Sequence, residues 1–208
     1  KLVHILKTAK STLLRQNVTR MIVEKHANEF IPALSTSLVK DPNPAVRLAC
    51  AWAIRSLNDP QTTKILYTAL SNEINLLARR ELVKGIGYLL DHRKFTTEED
   101  QQLHSQLRSN TIPHITKIME REPEPVVRRN CAEALRRIND KSVVPFLIEI
   151  FPEETNQFVR REIIKTFGFL GDEEAIKVLK KAKRSNYKHI VDAAYLAIQK
   201  IKESNQQK

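Results

Sequence analysis

A helical repeat constrains this chain more than any other feature. The segment Asp41-Pro42-Asn43-Pro44-Ala45-Val46-Arg47 matches Glu122-Pro123-Glu124-Pro125-Val126-Val127-Arg128. Arg47, Arg79, Arg128 and Arg160 fall at spacings of 32, 49 and 32, and 32 residues before Arg47 stands Arg15. The 49 is one period plus an insertion of 17, residues 93–109. An aspartate follows each of the four later arginines by twelve residues (Asp59, Asp91, Asp140, Asp172), and a proline precedes three of them by fifteen (Pro32, Pro113, Pro145). Agreement at several offsets marks a repeat, and a period near 32 marks a stack of supersecondary units.

Within each unit the apolar spacing is helical. Val46 is followed by Cys50, Ala53, Ile54 and Leu57; Val127 by Cys131, Ala134, Leu135 and Ile138; Val159 by Ile163, Phe167 and Leu170. Each set is one stripe on an amphipathic helix. A shorter helix precedes it, over residues 30–39, 62–70, 111–119, 143–151 and 175–182. Pro44 and Pro125 fit the first turn of the second helix, where a missing N–H costs nothing. One such hairpin cannot cover its own apolar face, whereas stacked neighbours do. The expectation is an all-α, right-handed α-solenoid of about 32 residues per repeat and nearly six repeats, forming a single domain over residues 1–208.

The repeats carry a resemblance. "PAVRLACAWAIRSLND", "PVVRRNCAEALRRIND" and "FVRREIIKTFGFLGD" share a Val-Arg opening, small residues in the second helix and an Asp close. The chain resembles the HEAT-repeat α-solenoids, specifically the short bacterial type named after phycobilisome lyases, over roughly residues 2–203. The resemblance is specific for fold and says little of function, because the family spans scaffolds, regulatory modules and a few enzymes.

Composition narrows the function classes. The two cysteines exclude a disulfide scaffold and a four-thiolate zinc site. Cys50 and Cys131 stand at the same core register and read as small buried hydrophobes. The six histidines show no His-x-x-x-His pattern, so no metal is expected. Four glycines argue against a Gly-rich phosphate-binding enzyme, and Gly85-Ile86-Gly87 lies mid-helix, where Gly85 suits close helix contact. The longest apolar run, Leu48 to Ile54, is far short of the about 20 residues that span a membrane, and no signal peptide is expected. The expectation is a soluble protein of a reducing, cytoplasmic compartment that needs no cofactor. No Ser or Cys nucleophile has a readable base, so the chain is not expected to be an enzyme.

Thirty-five Lys and Arg against 24 Asp and Glu give a net charge of +11, which points to an acidic partner. The arginine ladder is read as structural, each Arg paired with an aspartate of the +12 series in a neighbouring repeat; ligand contact is the alternative. The face of the second helix opposite the core stripe is more informative. It carries Arg20, Leu48, Trp52, Arg55, Arg80, Lys84, Arg129, Arg136, Arg161 and Lys165, with Gly87 and Gly168 at the same offset, and Glu133 as the opposing acid. In HEAT-like stacks that face is concave, and Trp52 is expected to be exposed on it. These ten residues are the expected contacts of an acidic protein or peptide, with Trp52 and Leu48 as apolar anchors. A nucleic acid is the alternative, its phosphates neutralised by Arg and Lys and a base stacked on Trp52. A bilin lyase is a third reading, taken from the family name alone. A HEAT-like DNA glycosylase is rejected, because Glu133 and Trp52 are two repeats apart, roughly 20 Å at about 10 Å per helix layer.

Three further features carry expectations. The insertion is read as a polar decoration or a partner contact, with Thr96 and Glu99 forming a capping box before a short helix. Register places Lys1 inside a helix, so a longer chain with other domains is expected. Residues 180–188, "KKAKRSNYK", form a second basic cluster, and the tail "ESNQQK" is expected to fray.

Overall fold

The computed structural model describes residues 1–206. Its described residues form twelve α-helices and short 3-10 turns, with no strand. The helices are α1 (Leu2–Thr8), α2 (Thr12–Glu24), α3 (Ile31–Lys40), α4 (Pro44–Leu57), α5 (Thr63–Leu70), α6 (Leu76–Leu89), α7 (Glu98–Arg121), α8 (Pro125–Ile138), α9 (Val144–Ile150), α10 (Gln157–Leu170), α11 (Ile176–Ala182) and α12 (Lys188–Gln206). They make six hairpins in two compact units, Lys1–Leu90 and Asp91–Lys208. In the first, α2, α4 and α6 pack side by side, with α3 and α5 against α4 and α6; in the second, α8, α10 and α12 do so, with α7 and α11 against α8 and α12. Each unit is thus a solenoidal stack of helical hairpins.

Local chemistry explains where the second helices start and stop. Asn43, Asn75 and Asn156 cap α4, α6 and α10, their side-chain oxygens accepting from Ala45 N at 2.9 Å, Leu77 N at 3.1 Å and Phe158 N at 3.0 Å. Such a cap satisfies N–H groups that the helix cannot, worth about 1 kcal/mol. Pro44 and Pro125 occupy first-turn positions. The C-terminal ends of α4 and α8 close on Asn58 and Asn139 in the left-handed region, with φ of 59° and 57°. The apolar stripes turn inward as their spacing requires. Val46, Cys50, Ala53 and Ile54 are fully buried, as are Val127, Cys131, Leu135 and Ile138. Neither cysteine takes part in a disulfide, and burial pushes the Cys50 thiol up to about 12.

The aspartates of the +12 series are not the partners of Arg15, Arg47 and Arg128 in the arginine ladder. Asp59, Asp140 and Asp172 accept the N–H two residues on, from Gln61, Ser142 and Glu174, each at 2.9 Å, and so cap the 3-10 turn that opens the next hairpin. Asp91 does the same for Arg93 N at 3.2 Å. The ladder's carboxylates come instead from 26 residues downstream. Arg15 is forked onto Asp41 at 2.7 and 2.9 Å, Arg47 onto Glu73 at 2.7 and 2.8 Å, and Arg128 onto Glu154 at 2.7 and 2.9 Å. In each, the remaining guanidinium nitrogen donates to carbonyls of its own loop: Ala9 at 2.7 Å, Asp41 at 2.9 Å, Glu122 at 2.9 Å. The acid also accepts the N–H of the residue two on, from Asn43, Asn75 and Asn156. One acid therefore fixes both the next helix's capping loop and the preceding repeat. A local cap suits a short Asp side chain near its own backbone, whereas the ladder needs an acid that stands in the facing loop.

Two other expectations are corrected. The insertion is not a separate short helix: it runs into the following first helix to form the 24-residue α7. Its capping box is Thr97 with Asp100, one residue beyond the expected pair, the Thr97 hydroxyl accepting from Asp100 N at 3.1 Å and Asp100 from Thr97 N at 3.2 Å. Pro113 sits inside α7, where it removes one backbone hydrogen bond. The buried ring of His104 stacks on Phe95 at 4.5 Å and Arg108 pairs with Asp140 at 3.1 Å, so the insertion is packed onto its unit. The tail is helical to Gln206, where Asn205 donates to Glu173 at 2.8 Å; the last two residues of "ESNQQK" lie outside the described residues.

Candidate functional site

The outward face of the second helices is where the sequence places its binding residues, and the two units differ there. In the first unit, α2 and α4 leave an open groove of about 460 Å³ between them. Leu13, Leu48 and Trp52 supply its apolar surface, Gln16 and Arg20 its polar side, and Glu81 of α6 its far edge. Leu13 is 65% exposed. Gln16 bridges the helices, donating to Ala45 O at 3.2 Å. Trp52 is half-buried rather than exposed, because the groove walls contributed by α2 shield one side of the ring. Arg20, Leu48 and Trp52 are therefore brought together.

The remaining first-unit residues are spread along α4 and α6. Arg55 pairs with Glu81 at 2.7 Å and lies 5.5 Å over the Tyr88 ring. Arg80 is half-buried and Lys84 exposed. In the second unit, Arg129 is half-buried on α8 and Arg161 exposed on α10. Arg136 pairs with Glu162 at 3.3 Å and lies 6.0 Å from the Phe169 ring, and Lys165 reaches the same Glu162 at 3.1 Å. Glu133, the acid expected to oppose the bases, is tied to Arg137 at 3.0 Å.

Glu81 and Glu162 are the residues that the sequence reading missed. They neutralise Arg55, Arg136 and Lys165, so the face is less basic than a residue count along it indicates. The signal was present: Arg55 and Glu81, like Arg136 and Glu162, stand 26 apart, the same offset as the buried ladder. Gly87 and Gly168, expected on this face, are buried. A Cβ on Gly168 would lie 2.7 Å from Ala197 Cα, so glycine here lets α12 approach α10. The expected contact at Gly85 is present, where a Cβ would lie 2.8 Å from Leu66 Cδ1.

Charge is held more tightly along the ladder. Burial raises the Glu73 and Glu154 carboxyls, but the guanidinium forks and backbone N–H groups outweigh it and hold both below the usual range. Arg160 differs from Arg15, Arg47 and Arg128. Its register partner at +26 is Asn186, it donates to the Phe151 and Glu154 carbonyls at 3.1 and 2.8 Å, and burial lowers its pKa. Among the described residues no His, Cys, Asp and Glu group is arranged to hold a metal, and no helix is long and apolar enough to cross a membrane.

Comparison with known proteins agrees with this architecture. The sequence pattern of HEAT repeats matches residues 1–87 and 112–199. The gap between the two matches covers the insertion. Over 59 residues the chain is 39% identical to the epoxyqueuosine reductase of Bacillus subtilis (strain 168), a stretch that is 28% of this chain and 15% of that protein. Among solved structures, the complex of CpcE and CpcF of phycocyanin lyase from Nostoc sp. PCC7120 aligns with a TM-score of 0.60 at 17% identity, covering 79% of this chain and 95% of the matched chain. Human deoxyhypusine hydroxylase in complex with glycerol aligns more loosely, with a TM-score of 0.43 at 14% identity, over 97% of this chain and 83% of that one. With the repeat pattern matched on both sides of the insertion and a hairpin stack in each unit, the chain belongs to the HEAT-repeat family.

Proposed function

We propose that this chain is a non-catalytic HEAT-repeat scaffold whose second-helix faces bind an acidic protein or peptide. The groove of Leu13, Leu48 and Trp52 beside Arg20 carries this reading. An indole with two leucines in an open groove offers an apolar anchor site, the kind of position that dominates protein–protein affinity. Lys84 and Arg161, exposed on the same helix faces, favour approach of an acidic partner and its rate of association. The structural neighbour is itself a complex of two proteins, which supports protein partners for such a stack. The lyase named for that neighbour is not carried over, since a likeness at 17% identity speaks for fold alone.

The test is a selection of peptides from a random displayed library on the intact protein. The selected peptides are expected to combine Asp or Glu with Leu, Ile or Phe. Their binding should weaken in Arg20→Glu, beside the groove, and less in Lys180→Glu with Lys181→Glu. Basic or uncharged selected peptides, or indifference to the Arg20 reversal, would overturn the reading.

A further inference from the structure

A second surface stands apart from that groove, at the N-terminal ends of α10 and α12. Three rings meet there. Phe158 lies 6.1 Å from His189 with the planes 17° apart, and Tyr187 lies 5.9 Å from His189. Phe158 and Tyr187 are 55% and 51% exposed, although nothing in the repeat register calls for an aromatic at the surface. His189 Nε2 is shielded from water without a hydrogen-bond partner. The chain around these rings is basic. Arg184 and Lys188 flank Tyr187 and are exposed, and residues 180–188 contain five Lys or Arg and no acid; Asp192 follows one turn after Lys188.

We propose that this ring tier, with Arg184 and Lys188, is a platform for single-stranded nucleic acid. The argument is the combination. Exposed aromatic faces would be of little use to a purely acidic peptide, whereas every nucleobase has a face that stacks on them. Flanking Lys and Arg match a chain that bears one phosphate per base, and binding would release the counterions condensed on it. A duplex hides its base faces, so the platform selects for unpaired strands. The proposal is independent of the acidic-partner reading, because it uses neither Trp52 nor Arg20.

The experiment is fluorescence anisotropy of the intact chain with a labelled RNA strand of roughly twelve nucleotides. Binding is expected to fall with a log–log salt slope that becomes shallower by about 1.4 when Arg184 and Lys188 are both changed to Glu, at about 0.7 per phosphate contact. Phe158→Ala with Tyr187→Ala should weaken binding about tenfold or more, and Phe158→Tyr with Tyr187→Phe should restore it. All variants are checked for native helicity by circular dichroism, and Trp52→Ala should bind RNA as the parent does. The proposal is overturned if the alanine pair, still helical, binds as tightly as the parent. It is equally overturned if a duplex of the same sequence binds as well, or if polyglutamate displaces the strand at equal charge concentration, since each result means charge alone.

Discussion

The two units share a frame and differ in what they display. Counterparts stand 81 residues apart: Arg47 and Arg128, Arg55 and Arg136, Glu73 and Glu154, Glu81 and Glu162. The buried ladder pair and the half-exposed outer pair therefore recur in both units with the same partners. Yet at the positions of Leu48 and Trp52 the second unit has Arg129 and Glu133. The first unit has an apolar groove where the second has charges, one of them tied to Arg137. The repeat fixes the loops and the stacking, and leaves the outward positions free to differ. Function is then to be sought where the counterparts disagree.

The largest expected effect tests the shared frame. Arg47→Ala leaves Glu73, whose side chain is 3% exposed, without its cation, and should cost about 3–5 kcal/mol in denaturant unfolding. Arg128→Ala should cost a similar amount through Glu154. Arg160→Ala, with no carboxylate fork to break, should cost less. A cost for Arg128→Ala below that for Arg160→Ala would break the equivalence. Leu135→Ala, a core truncation, should cost about 2–5 kcal/mol.

The next effect tests the difference between the units. Trp52→Ala should weaken binding of selected acidic peptides by roughly thirtyfold, a loss of about 2 kcal/mol typical of an anchor residue. Glu133→Ala, its counterpart, should leave binding unchanged or slightly tighter. Equal losses at both positions would mean that the groove is not the anchor.

Acid should act on the frame in both units. Glu73 and Glu154 titrate lower in the folded chain than their ordinary value near 4.3. The Arg93 fork, against some burial, brings Asp91 down to about 2. Lowered folded values mean that the stabilisation is fully present above the unfolded pKa and is lost as pH falls through the folded one. Stability is thus expected to be flat on this account from neutral pH to about 5 and to decline below about 4. Glu154→Gln should flatten part of that decline, measured by unfolding midpoints across pH. Smallest is the thiol effect. With Cys50 pushed up to about 12 and buried, a thiol reagent should label it slowly in the native protein and rapidly once unfolded.

Much of the fold was legible because a repeat states its register several times over. The first helices α3, α5, α9 and α11 begin one residue from their expected starts, and Cys50 and Cys131 are buried where the stripe puts them. The ladder's partners were misread because the +12 aspartates are the more regular series. Regularity there reflects a local cap, whereas the true partner alternates between Asp41 and Glu73 and lies across a helix interface. The insertion was read as separate because its own sequence shows a helix start, while its fusion into α7 depends on Pro113 being tolerated within a helix. The outward residues were named, but periodicity along one helix cannot show that Glu81 and Glu162 arrive from the next. Nor can it show that α2 walls in Trp52.

Trp52 is the only tryptophan in the chain, so its fluorescence reports the groove without any label. The most direct test is to titrate the native protein with a selected peptide of mixed acidic and apolar residues while following both indole emission and peptide anisotropy. A buried apolar anchor predicts a blue shift that saturates with the anisotropy curve and is weakened by Arg20→Glu. Saturating anisotropy with unchanged indole emission would place the partner elsewhere and contradict the account.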